Sequence, residues 1–224
     1  KVSPDPIVVI PGYDFDGSLI SDTKMRGVRL STDAEANVWF DPVMQGIQKA
    51  VDQALPGTNN LITVSTRPGS PWVLVESYSD VQPSRYSIYD TKSGSVDVVG
   101  STYPNIPSGA MGKQEPVYYK ARDGLTMHGM LTLPRQGASK NLPMVVLVHG
   151  GPWVRGTSWG WRPESQFLAS RGYAVLEIEF RGSTGFGLAH FEAGFKQWGL
   201  AMQNDIADGT RWAIAQGIAD PQRI

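Results

Sequence analysis

The sequence predicts two architectures in one chain: antiparallel strands over residues 1–113, then an α/β unit with a parallel sheet over residues 114–224. Three observations carry this. Strand-like runs at residues 61–65, 72–78, 85–89 and 96–99 are separated by turn signals at 67–69, 80–83 and 92–94. From residue 144 the pattern becomes strand, helix, strand, helix and the start of a further strand, the alternation of a parallel sheet with crossover helices. At the join, Met144-Val145-Val146-Leu147-Val148 runs without a polar residue and stops at His149-Gly150-Gly151-Pro152. A Val-rich run ended by glycines reads as a strand buried on both faces.

Bulk composition sets bounds. The 224 residues carry 20 basic and 21 acidic side chains, and no basic stripe makes an electrostatic case for nucleic acid. At 41% hydrophobic, the chain can fill a core. With no cysteine, disulfides and thiolate metal sites are excluded, but the compartment, cytoplasmic or periplasmic, stays open. No apolar run approaches the roughly 20 residues that cross a membrane as a helix, so no membrane partner is expected. Residues 1–6 lack the pattern of a signal peptide, which carries no weight if the chain is an internal piece of a longer protein.

Taken in order, Ile7-Val8-Val9-Ile10 before Pro11-Gly12 predicts a strand and a turn. Asp14, Asp16 and Gly17 resemble the start of a calcium loop, but the later glutamate is missing, so a hairpin turn is the reading and no metal is expected. Residues 27–30 and 37–40 read as strands. Asp41-Pro42 opens a helix, aspartate as N-cap and proline at the first position, with Val43, Ile47, Val51 and Ala54 on its apolar face. Leu55-Pro56-Gly57 ends it. Among the four strands that follow, 72–78 is mostly apolar and suits an inner strand; 85–90 alternates and suits an outer one. Four such strands over about forty residues match one propeller blade. A small antiparallel sheet fits the pattern equally well.

Residues 101–113 read as a linker, and 117–120 and 125–133 as strands joined by Arg122-Asp123-Gly124, a strong hairpin signal. Residues 134–143 form a polar loop. Residues 163–171 predict a helix with Phe167 and Leu168 inward and Gly172 as C-cap. Residues 174–180 form a strand, and 181–187 a glycine-rich loop. A last helix is capped by Asn204 or Asp205, buries Ile206, Ala213 and Ile214, and closes at Gly217. Residues 220–224 turn toward another strand.

The chemistry concentrates at two turns. A tetrahedral oxyanion needs fixed donors, and backbone N–H groups of a glycine turn at a strand's C-terminal edge supply them. His149-Gly150-Gly151-Pro152 fits that role; an ordinary strand-end turn is the alternative. Residues 181–187 lack the spacing of phosphate-binding loops and read as a shaped site loop, so no nucleotide or other cofactor is expected. His149 reads as an orienting residue, His128 as a structural histidine, and His190 as a surface or rim residue.

The motifs occur in one order: His149-Gly150-Gly151-Pro152, Ala169-Ser170-Arg171-Gly172-Tyr173-Ala174, Phe180-Arg181-Gly182-Ser183-Thr184-Gly185-Phe186-Gly187, Trp198-Gly199, Asp205-Ile206-Ala207-Asp208-Gly209 and Asp220-Pro221-Gln222-Arg223-Ile224. This resembles the prolyl oligopeptidase family of serine peptidases, most closely its acylaminoacyl-peptidase and dipeptidyl-aminopeptidase-like branch. The resemblance runs from about Glu115 onward. It implies the front half of an α/β-hydrolase catalytic domain over residues 114–224, incomplete, preceded by the last blade or blades of a β-propeller over 1–113. It implies hydrolysis of short peptides through an acyl-enzyme on serine. Gly151 matches the position whose N–H helps form the oxyanion hole, with His149 and Gly150 in the same turn. Arg155, Trp159 and residues 181–187 match segments that shape the entrance and wall of the site.

The departure is that no Gly-x-Ser-x-Gly occurs; Ser158 and Ser183 sit in other contexts. The resemblance places the nucleophile on a strand after Ile224, with Asp and His later still. The expectation is therefore a fragment, inactive alone, with Val146 and Ile178 beside an unfilled place in the sheet. Its partners are expected to be short peptides and the remainder of the hydrolase domain, with a homo-oligomer as a further option. A mass measurement on a stable sample would reveal that remainder. An esterase or lipase acting on small acyl esters, and a non-catalytic peptide-binding module, are the competing readings.

Overall fold

Alternation of apolar and polar residues sets three sheets along the chain. The computed structural model describes residues 5–22, 24–137 and 140–224, so the Pro134 to Pro143 loop lies partly outside the described residues. Strands β1 (Gly17–Ser21), β2 (Met25–Ser31) and β3 (Glu35–Trp39) form an antiparallel meander. Helix α1 (Pro42–Ala54) follows. Strands β4 (Asn59–Val64), β5 (Trp72–Tyr78), β6 (Arg85–Asp90) and β7 (Val96–Ser101) pair antiparallel in chain order. A third sheet holds β8 (Lys113–Lys120), β9 (Thr126–Leu133), β10 (Met144–Leu147) and β11 (Ala174–Glu179) in the order β10-β11-β9-β8. Helices α2 (Pro163–Ala169), α3 (Leu188–Glu192) and α4 (Ala201–Ala215) belong to this last part.

The first half largely follows its patterning. Asp41 caps α1, its carboxylate accepting from Val43 N–H, with proline at the first turn as predicted. The apolar face is rotated by one residue. Met44, Ile47 and Val51 turn inward, whereas Val43 is 66% exposed and Ala54 is exposed. Residues 7–10 form no strand: the run is too short to hold itself without a partner, and Ile7 and Val9 lie exposed. The Asp14–Asp16 segment is no hairpin turn either. Asp14 N–H donates to Gly185 O and Gly187 N–H to Asp14 Oδ2, so it docks on the glycine loop. Strand β6 is not outer but lies between β5 and β7, and its polar-looking face is the buried one, with Ser87 and Tyr89 inward against the core of Val73 and Val75.

In the third sheet only β10 and β11 are parallel; β11–β9 and β9–β8 are antiparallel. The Asp-Gly hairpin stands where predicted, with Gly124 at φ +89°. The strand buried on both faces is β11, all six of whose residues are buried; β10 lies at the edge and is half-buried. Ile178 pairs with Gly129 and is covered, so it borders no open place; the sheet's two edges are β10 and β8, and Val146 lies on the first of them. The reason is topological: β11 inserts between β10 and β9 rather than beside β10's far edge. In α2 the predicted inward Phe167 points out, stacked under the Arg171 guanidinium, while Ser165, Gln166 and Ala169 face inward. Helix α4 begins at Ala201, and Asp205, read as a possible cap, sits fully buried within it. Residues 219–224 lie along the start of β10: Ala219 bridges Leu142, and Met144 N–H donates to Arg223 O.

Helix α4 is clamped to the β8–β9 hairpin by charge. The Arg122 N–H and guanidinium both donate to the Asp208 carboxylate, which is 8% exposed. These bonds hold the Asp208 pKa down to about 2, below the unfolded value of about 3.9. The stabilisation is therefore present above about pH 4 and is lost as pH falls through 2. We expect urea midpoints of the wild type to drop over that window, and those of Asp208→Asn to drop less steeply, as read by tryptophan fluorescence.

Candidate active site

The edge strand β10 ends at Leu147 and delivers the His-Gly-Gly-Pro turn to the C-terminal end of the sheet, where open α/β sheets gather their ligands. Gly151 has φ +129°, and a Cβ there would meet Val154 Cγ2 at 2.8 Å and Trp153 N at 3.1 Å, so this position needs glycine. Among the described residues, neither the Gly150 nor the Gly151 N–H donates to a protein acceptor. Gly151 is followed by the cis peptide to Pro152. The turn borders a cleft of about 290 Å³ walled by Gly150, Gly151, Phe180, Trp198, Met202 and Ile206. Two free N–H groups at the rim of an apolar cleft can bind an oxyanion.

His149 anchors the turn. Its ring stacks on Phe180, with centroids 4.5 Å apart and planes 12° from parallel. Nδ1 lies 2.8 Å from Gly150 O; Nε2 lies 3.1 Å from Ser183 Oγ and 3.3 Å from Glu179 Oε2. Ser183 donates its own proton to Phe180 O, so toward His149 its oxygen is an acceptor. Both ring nitrogens thus face acceptors, which suits the imidazolium. Burial opposes that charge, but the hydrogen bond and charge of Glu179 and the Gly150 carbonyl outweigh it, and the His149 pKa is raised.

Ser183, His149 and Glu179 touch one another without forming a nucleophilic triad. Serine and carboxylate share one ring nitrogen instead of occupying opposite ones, and Ser183 is completely buried. Ser158 lines a different cavity of about 220 Å³ with Tyr78, Trp159 and Trp161. His128 lies in β9 against Phe186, its pKa pushed down to about 4 chiefly by burial. His190 is not a rim residue: it is 4% exposed, its Nε2 sits 3.1 Å from Phe180 O, and burial lowers its pKa. Among the described residues, no group of three or more His, Asp or Glu is placed to hold a metal ion.

The wall is built by residues the sequence only partly flagged. Trp153 packs against Gly182, where a Cβ would meet its ring at 2.8 Å, and against Phe191 and Phe195. Arg155 lies over the Phe186 ring at 4.9 Å and donates to Thr32 O in the β2–β3 turn. Trp159 N–H donates to Asp33 O, and both Tyr13 and Tyr118 donate to the Asp33 carboxylate. The first half of the chain therefore braces the site loops of the second. Arg181 is paired with Asp205 at 2.7 Å and Asp123 at 2.8 Å, which fixes the start of the glycine loop. Glu179 and Asp205 were missed from sequence. Carboxylates at 177 and 179 within an otherwise apolar strand were the available signal.

Comparison with known proteins bears on the family and the fold. The pattern of the prolyl oligopeptidase family matches residues 159–224. Dipeptidyl aminopeptidase BIII of Pseudoxanthomonas mexicana is 33% identical over 222 residues, 94% of this chain and 32% of that protein. Dipeptidyl peptidase family member 6 of Caenorhabditis elegans is 32% identical over 202 residues, 81% of this chain and 27% of that protein. A solved puromycin-hydrolyzing peptidase of Mycobacterium tuberculosis superposes with a TM-score of 0.68 at 24% identity, covering 93% of this chain and 32% of that one, a likeness of fold. The chain spans about a third of the length of these relatives. The fold class is an incomplete α/β hydrolase preceded by the end of a β-propeller. The family to which these likenesses point is the prolyl oligopeptidase family.

Proposed function

We propose that this chain is the oxyanion half of a serine peptidase that hydrolyses short peptides through an acyl-enzyme. The observation that carries the reading is the unpaired Gly151 N–H, held by a glycine-only conformation at the C-terminal end of β10, beside an apolar cleft. In this reading residues 114–224 are the catalytic domain's first part, with Gly151 and Gly150 as donors and His149 orienting the turn. Residues 1–113 are the propeller side and restrict access to short or flexible substrates. The nucleophile, its base and its acid come from the longer polypeptide, since the chain has no Gly-x-Ser-x-Gly and the buried Ser183 shares one His149 nitrogen with Glu179. The names of two relatives, a dipeptidyl aminopeptidase and a dipeptidyl peptidase family member, favour release of dipeptides from peptide N-termini.

A fluorophosphonate probe tests this. The full-length protein should be labelled at a serine within Gly-x-Ser-x-Gly, and residues 1–224 alone should not. Peptide anilides should be turned over faster than short acyl esters. Turnover confined to esters would replace the peptidase reading with an esterase, and a full-length protein that takes no label would replace it with a binding module.

A further inference from the structure

We propose that Glu179 is a positioning residue for the oxyanion turn: through the His149 ring and the N–H groups of Gly156 and Thr157, it sets where the Gly150 and Gly151 N–H groups point. The inference rests on the serine-peptidase reading above and adds to it a residue outside the turn.

Glu179 is the last residue of β11 and is 1% exposed. A buried carboxylate must be fully hydrogen-bonded to persist. Here Gly156 N–H donates to both oxygens, at 2.9 and 3.1 Å, Thr157 N–H donates to Oε1, and His149 Nε2 lies 3.3 Å from Oε2. These partners bracket the turn: His149 precedes Gly150 and Gly151, while Gly156 and Thr157 follow them. The loop is thus tied at both ends to one carboxylate on the central strand. The tie is tight, because a Cβ at Gly156 would lie 2.1 Å from the His149 ring. Among the described residues, the N–H groups of the two glycines between have no acceptor, and Gly150 O is held by His149 Nδ1 at 2.8 Å, so their direction is set through His149 and the far end of the loop.

Glu179 is the charged group facing His149. The other titratable groups that feel the Glu179 charge are Glu177 on the same strand, His128 on β9 and His190 on α3, with burial lowering the pKa of both histidines. The carboxylate raises the His149 pKa, so the charged form of the tie is present below that raised pKa and weakens as pH rises through it. A turn that loosens at one end misplaces its donors, and a displacement near 1 Å costs up to about 100-fold in rate.

The test is Glu179→Gln in the full-length protein, with Glu177→Gln as a buried-carboxylate control two residues away. E179Q is expected to lower kcat at least about tenfold with KM within about twofold, and to move the alkaline limb of the kcat profile to lower pH. E177Q is expected to keep kcat within about twofold and the limb in place. An E179Q enzyme with wild-type kcat and an unmoved limb would overturn the proposal; so would E177Q reproducing both changes. Should E179Q fail to fold, the wild-type profile decides: no alkaline limb below the pH of unfolding overturns the proposal. A wild type that takes no fluorophosphonate label overturns the serine-peptidase reading and this one with it, whereas normal labelling with an unaffected E179Q overturns this one alone.

Discussion

Gly151→Ala in the full-length protein should lower kcat by about 10²- to 10³-fold and leave KM within a few-fold. Two effects act in the same direction. At φ +129° a Cβ-bearing residue is strained, and the added methyl group would press on Val154 Cγ2 at 2.8 Å and on Trp153 N at 3.1 Å. The backbone must shift to relieve the clash, and the N–H moves with it. An oxyanion donor contributes only as charge develops in the transition state, so the loss falls on kcat and not on substrate binding. Val154 is 45% exposed, so the global fold should survive. A matching thermal midpoint alongside the lost turnover is the expected pair of measurements; equal loss of both would mean that the turn is structural only.

Arg181→Met should destabilise the protein by about 3–5 kcal/mol in urea unfolding. Asp205 is fully buried inside α4, and Arg181 holds it through side-chain bonds of 2.8 and 2.7 Å as well as its own backbone N–H at 3.0 Å. Removing the guanidinium leaves a buried carboxylate with one donor. The double change Arg181→Met with Asp205→Leu should recover part of the loss, because the pair as a whole is worth less than the cost of breaking it. The same ion pair connects α4 to the glycine loop and, through Asp123, to the β8–β9 hairpin. Its loss should therefore also release Trp153 from its seat on Gly182.

Strand and hairpin signals were legible because they are local. β4 to β7 fall within two residues of their patterns, and Asp123-Gly124 turns where an Asp-Gly pair turns. The family motifs located the candidate oxyanion turn for the same reason. What was not legible depended on partners distant in sequence. Asp205 looks like a helix cap because aspartate suits caps, but a guanidinium 24 residues away draws it into the core. Met144 to Val148 look fully buried, yet the order of strands places them at an edge; the same apolar residues in β11 are buried because β9 and β10 flank it. Ser87 is buried although its strand reads as half-polar, since apolar Val73 and Val75 and the helix behind them form the face it joins. Glu179 could be seen in the sequence as a misplaced charge, but its function as a tie needs Gly156, Thr157 and His149 brought around it.

The central claim is that the Gly150-Gly151 turn receives the oxyanion of a serine peptidase. The most direct test is a structure of the full-length protein trapped by a fluorophosphonate on its nucleophilic serine. The account predicts a phosphoryl oxygen about 2.7–3.1 Å from the Gly151 nitrogen. A phosphoryl oxygen held by other donors, with the Gly151 N–H still unpaired, would contradict it.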